Sequence, residues 1–198
     1  VEATDFARLL TKFHDVDVRD LVEFQYASGW RVGSIMRLEK KDIDWQRETV
    51  TLRDAISKNK QPALLSFKKF PAMRAVLLRR KENLRLNCPF IFHRNGRPIK
   101  DFRDEWKRAT GEAKLTGLTD HALCRSYAVN LSRAGVAETV ASKYMSRKTL
   151  SIYKLYRIVD TVDTELAGEA YQRYLDQEAN AAKIAELEKD HRQNSHSE

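Results

Sequence analysis

From Asp17 to Ala27 the sequence DVRDLVEFQYA places Val18, Leu21, Val22, Phe24 and Tyr26 at helical spacing, which predicts an amphipathic helix. SGW breaks it, and residues 31–38 predict a second helix that stops before KKDIDW. ETVTL, residues 48–52, alternates and is β-branched, so it predicts a strand. ISKNKQPALLSF predicts another strand after a polar turn around Asn59 and Lys60. Together these make a small antiparallel β-sheet near residues 48–67. Residues 71–86 predict a helix with Met73, Val76, Leu77 and Leu84 on one side and a basic surface on the other. FIFHRNGRPI predicts a short strand entering an Asn-Gly turn. Further helices are expected over 101–115, over 121–134 with Gly135 as the stop, over 136–145, and briefly around 151–156. Residues 164–192 read as a long helical tail, and QNSHSE at the end as disordered. The chain is α+β in class, mostly helical, with one small sheet near its first third.

Composition narrows this picture. With 198 residues, 42% hydrophobic and 32% charged, the chain can bury a sizeable core. No apolar run reaches the length of a membrane span and no signal peptide opens the sequence, so no membrane partner and a cytoplasmic location are expected. The first residue is Val1, as expected of a piece of a longer protein. Cys88 and Cys124 have no metal-ligand spacing and read as two reduced thiols. The charge is unevenly spread. Of a net +8, the segment from Glu165 onward has eight acids and four bases, which leaves +12 on residues 1–164. A basic body with an acidic tail suggests a polyanionic partner, DNA or RNA first.

Five separated stretches carry polar residues that could do chemistry: GWR with Arg31, SKNK with Lys58, DHALCR with His121, SRKT with Arg147 and SIYKLYRIV with Tyr156. Singly, each has an ordinary structural explanation as a salt-bridge arginine, a solvated turn lysine, a helix cap or a core tyrosine. Their order resembles the catalytic domain of the tyrosine recombinases, the phage-integrase family, over nearly all of residues 1–175. ASGWRVGSIMRLEKKDIDW is similar to the family box TGLRxGEIxxLxWxDID, with its first catalytic arginine at Arg31. ISKNKQPALLSF resembles the hairpin that carries the family lysine, here Lys58. TDHALCRSYAVNLSRAGV resembles HDLRRSxxxNxxxAGV, with His121 in the histidine position. SRKTLSIYKLYRIV resembles GHKTxSxFxRYxIV, with Tyr156 as nucleophile and Arg147 in place of a histidine or tryptophan.

The resemblance implies DNA integration or site-specific recombination by a mobile element of bacterial or phage origin. A tyrosine hydroxyl would attack the phosphodiester and hold the 3′ end covalently. Guanidiniums would stabilise the charged phosphorane, a lysine would protonate the leaving 5′ oxygen, and a histidine would handle the tyrosine proton. No metal or other cofactor is implied. The chain departs from the pattern at Cys124, where the family's second arginine is expected, and at Ser34, where an acid is usual. Arg125 is the nearest substitute, but one helical step turns a side chain by about 100°. Loss of one preorganised donor costs roughly 2.7–4 kcal/mol of transition-state stabilisation. Two main function classes follow: an integrase with impaired turnover, or a DNA-binding module whose chemistry has decayed. A third, a basic helical protein for RNA or a protein partner, predicts no phosphotyrosine.

Double-stranded DNA is the expected partner. Lys68, Lys69, Arg74, Arg79, Arg80 and Lys81, with His93, Arg94 and Arg97, are candidate backbone contacts, and affinity should fall steeply with salt. The resemblance divides the chain into a catalytic domain over 1–175 and a helical tail over 176–198, without the family's N-terminal DNA-binding domain. It also implies a tetramer on DNA through the tail, with Tyr171, Tyr174, Leu175, Ile184 and Leu187 as a candidate face.

Overall fold

The computed structural model describes residues 1–58, 60, 62–146 and 161–194, with side chains of the last stretch described over 164–180. Arg147, Tyr156, the short helix expected around 151–156, the side chains of Ile184 and Leu187, and the final four residues lie outside that set. The chain divides into two compact units, Val1–Arg157 and Ile158–Glu198.

The first unit is built around α2 (Val16–Ser28), the helix expected from the spacing of its apolar residues. Asp15 caps it, its carboxylate accepting from the Asp17 and Val18 amides at 2.9 and 3.1 Å. Gly29 ends it in the left-handed conformation, φ 65°. One side of α2 buries Leu21 and Phe24 in the main core, and another buries Val18 and Val22 in a second core. The second core brings in α1 (Ala3–Leu10), a helix that sequence periodicity did not predict. Its anchors are Phe6, stacked on Tyr26 at 3.7 Å, and Leu9. α5 (Arg103–Glu112) closes that core with Trp106 and Ala109.

The helix expected over 31–38 is shorter, α3 (Val32–Ile35). After it the chain turns tightly, Leu38 donating to Ile35 O, and then leaves the helix to meet residues 89–91. There the Ile91 amide donates to Leu38 O at 2.9 Å and Glu39 bridges Phe90. The small sheet forms as expected: β1 (Ile43–Asp44), β2 (Thr49–Leu52) and β3 (Ala63–Ser66) are antiparallel in that order. Val50 faces Leu65 and Leu52 faces Ala63, so one side of the sheet is apolar and lies in the main core. That core continues into α4 (Pro71–Glu82) through Met73, Val76 and Leu77. β4 (His93–Arg94) and β5 (Arg97–Pro98) form the hairpin signalled by Asn95-Gly96, both of which have positive φ.

α6 (His121–Arg133) and α7 (Glu138–Tyr144) make a third cluster with Cys124, Tyr127, Ala128, Leu131, Ala141 and Met145. The turn between them uses Gly135 at φ 71°. In the second unit, α8 (Thr161–Asn194) runs 34 residues, about 51 Å. Among its described side chains, Tyr171, Tyr174 and Leu175 are exposed large apolar groups at i, i+3 and i+4. No helix among the described residues is long and apolar enough to cross a membrane.

Candidate active site

Arg31 sits where α2 has ended and α3 begins. Its backbone is extended, φ −68° and ψ 136°, and its carbonyl accepts from the Ser34 and Ile35 amides. The preceding residue, Trp30, is buried, and its indole donates to Tyr144 O at 2.6 Å. Lys58 lies in the connection from β2 to β3. The preceding Ser57 is buried and its hydroxyl meets that of Ser146 at 2.8 Å. His121 opens α6, and the carbonyl of the preceding Asp120 accepts from the Gln25 amide at 3.2 Å. Each candidate side chain therefore follows a residue fixed to the interior. Three segments far apart in sequence are held in register by short polar contacts.

The result is a cleft of about 400 Å³ lined by Arg31, Ser34, Arg37, Lys58, Asp120 and His121. Three of the five residues proposed from the sequence are thus brought together. Gly29 controls how close the two sides come. A Cβ built there would lie 2.3 Å from Tyr127 Cδ1 on α6. The phenol of Tyr127 is buried without a hydrogen-bond partner among the described residues. Burial, with the charge of Tyr144, pushes it up to about 12.

Cys124 is fully buried. Its Sγ donates to Trp30 O at 3.4 Å and accepts from Gln25 Nε2 at 3.8 Å. The side chain at the position where the sequence resemblance expects a second arginine therefore lies between Trp30 and Gln25 and offers no cation. Arg125 is exposed and is not among the residues lining the cleft, as the turn per helical residue requires. Gln25 Oε1 is buried beside Cys124 without a partner among the described residues.

The candidate DNA contacts divide sharply. Lys68, Lys69 and Arg97 are exposed. Lys81 is exposed too, its ammonium 4.8 Å from the centre of the Trp45 ring. Arg74 is paired with Glu48 at 2.7 Å, Arg79 with Asp20 and Glu23, and Arg94 with Asp15 at 2.5 Å. Arg80 and His93 correct the expectation from sequence. Arg80 is buried, its guanidinium bonded to Asp17 and to the carbonyls of Ile91 and His93 at 3.1 and 3.0 Å. It has no surface from which to reach a phosphate. His93 is buried as well, its Nδ1 accepting from the Gly96 amide at 3.3 Å. Burial and the Arg80 charge hold its imidazole below the ordinary value.

Sequence reasoning missed Arg37, Asp120 and Gln25. Arg37 and Asp120 flank family motif positions but carry no motif of their own, and Gln25 lies on an interior turn of α2. Only the three-dimensional meeting of the segments gives them a place in the site.

The phage integrase family model matches residues 2–161, so the chain belongs to the phage integrase family. The fold is that of the tyrosine-recombinase catalytic domain. It superposes on XerA recombinase with a TM-score of 0.65 and 16% identity, covering 88% of this chain and 62% of that one. The Tn1549 transposon integrase, solved with circular intermediate DNA, gives 0.65 and 15%, covering 85% and 64%. Lambda integrase, solved as a tetramer bound to a Holliday junction, gives 0.61 and 16%, covering 80% and 47%. The chain thus spans less than two thirds of the length of these structures. Among curated proteins no relative matches the sequence.

Proposed function

We propose that this chain is the catalytic part of a site-specific DNA recombinase that breaks and rejoins duplex DNA through a 3′-phosphotyrosine on Tyr156, with turnover lowered by Cys124. The observation that carries the reading is the cleft shared by Arg31, Lys58 and His121. The Tyr156 oxygen forms a bond to phosphorus, the bond from phosphorus to the 5′ oxygen breaks, and Lys58 gives that oxygen its proton. Arg31 donates to the oxygens on which the transition-state charge gathers, with Arg147 as a second donor. His121 takes the phenol proton. The 5′ hydroxyl of another strand reverses the step and releases the tyrosine. Double-stranded DNA binds through the exposed cations, and α8 joins neighbouring copies into a tetramer through the Tyr171, Tyr174 and Leu175 face. The protein works in the cytoplasm of a bacterial host.

The burial of Cys124 favours one further reading, a DNA-binding module on the same scaffold with its chemistry decayed. A pool of nicked duplexes of random sequence separates the two. A covalent adduct from the wild-type chain that vanishes in Tyr156→Phe supports the recombinase. Cys124→Arg should raise its yield by about 10²–10³, because Gln25 Oε1 lies buried beside position 124 as an acceptor for the restored guanidinium. Duplex binding with no adduct from either chain sinks the enzyme and leaves the module.

A further inference from the structure

We propose that Arg37 is a phosphate-binding residue of the cleft, supplying a further guanidinium beside Arg31 in a chain where a buried cysteine stands at the position expected for the family's second arginine. The inference rests on the recombinase reading and adds to it the residue that meets the DNA backbone beside Arg31.

Arg37 is exposed and lines the cleft with Arg31, Lys58 and His121. Its orientation is fixed on one edge only. Nε donates to Gly33 O at 2.9 Å, and Nη2 donates to Ile56 O at 2.8 Å. Nη1 has no hydrogen-bond partner among the described residues. The end of the guanidinium, Nη1 with the second proton of Nη2, is therefore left to donate. That fork matches two oxygens of one phosphate. Both of its fixed partners are carbonyls, so no carboxylate pairs with its charge among the described residues. The arginines of α4 show the contrast, since Arg74, Arg79 and Arg80 all have acid partners. Asp120 is the carboxylate that shares the cleft, and it is engaged by Gln25 Nε2 at 3.4 Å. An arginine held along one edge of its guanidinium, in a cleft where three other basic side chains face a single carboxylate, is arranged for an anion. The anion expected in this cleft is a DNA phosphodiester.

The same contacts allow a bland role, because Ile56 lies two residues before Lys58 and Arg37 could act only as a brace for that connection. Charge distinguishes the roles. The test measures binding of a fluorescent duplex to the wild-type chain, Arg37→Gln and Arg37→Lys across a series of salt concentrations, beside adduct formation on the nicked pool. Gln keeps an amide donor for the carbonyls and loses the charge, while Lys keeps the charge. Thermal melts of all three chains report folding. Loss of one phosphate contact lowers the slope of log affinity against log salt by about 0.9. We expect that loss in Arg37→Gln, its recovery in Arg37→Lys, and adduct formation reduced about 10²–10³ in Arg37→Gln. An Arg37→Gln chain with wild-type slope and affinity overturns the proposal. An Arg37→Lys slope as low as that of Arg37→Gln also overturns it, in favour of the brace. Wild-type binding without any adduct, but with the slope lost in Arg37→Gln, removes the recombinase reading and leaves Arg37 as a phosphate ligand. No duplex binding by the wild-type chain overturns both.

Discussion

The cleft and the helix α4 are both rich in cations, yet they use them in opposite ways. On α4, Arg80 is buried against Asp17, and Arg79 reaches Asp20 and Glu23. Those charges hold α4 to α2. In the cleft, Arg37 is held by two backbone carbonyls, and Lys58 is exposed with no ion-pair partner among the described residues. Such charges are left to act on something from outside. A count of lysines and arginines cannot separate the two regions. The position of the acids does, and here the acids stand about sixty residues earlier in the chain than the arginines that they neutralise.

The largest effect that would sharpen this contrast is on stability. Arg80→Ala leaves Asp17 without its buried counter-charge and Asp20 with Arg79 alone, and should cost about 3–5 kcal/mol in urea unfolding. DNA binding by the fraction that remains folded should keep its salt slope. Arg31→Ala should do the reverse. We expect phosphotyrosine formation to fall by about 10²–10³, or about 2.7–4 kcal/mol, with a much smaller change in the unfolding midpoint. If Arg31→Ala unfolds the protein and Arg80→Ala weakens only DNA binding, the contrast is broken.

A smaller effect comes from His93, which packs beneath Arg80. Burial and that guanidinium keep its folded value below 6.5. As pH falls through 6.5 the unfolded chain takes up a proton that the folded chain refuses, so stability declines until the folded value is reached. The slope contributed by this one group cannot exceed about 1.4 kcal/mol per pH unit. His93→Gln should flatten the pH dependence of the urea midpoint between neutral and mildly acidic buffer. A wild-type midpoint that rises on acidification over that range would contradict the burial argument. The smallest effect belongs to Arg74→Ala. Its pair with Glu48 is half exposed, and its loss should change stability by about 0.2–1 kcal/mol.

Part of the candidate site is legible in the sequence. Arg31, Lys58 and His121 were identified from ordered motifs, and they line one cleft. The small sheet and the Asn-Gly hairpin were legible because alternation and turn chemistry are local. α1 was not, since only Phe6 and Leu9 are buried along it and their partners come from α2 and α5. The premature end of α3 was also hidden, because the pairing that draws the chain away involves residues 89–91. The burial of Arg80 was hidden for the same reason. Arg37 escaped notice because its partners are carbonyls, which have no signature in a sequence.

A further consequence follows from Gly29. The ring of Tyr127 occupies the space that any other side chain at this position would need. Even a methyl group there would wedge apart the turn that carries Arg31 and the helix that begins with His121. Every charged group would survive such a change, yet Arg31 and His121 would no longer line one cleft. The shape of the cleft is thus set in part by a missing carbon atom, and a screen for variants that lose adduct formation should find position 29 as readily as the cations themselves.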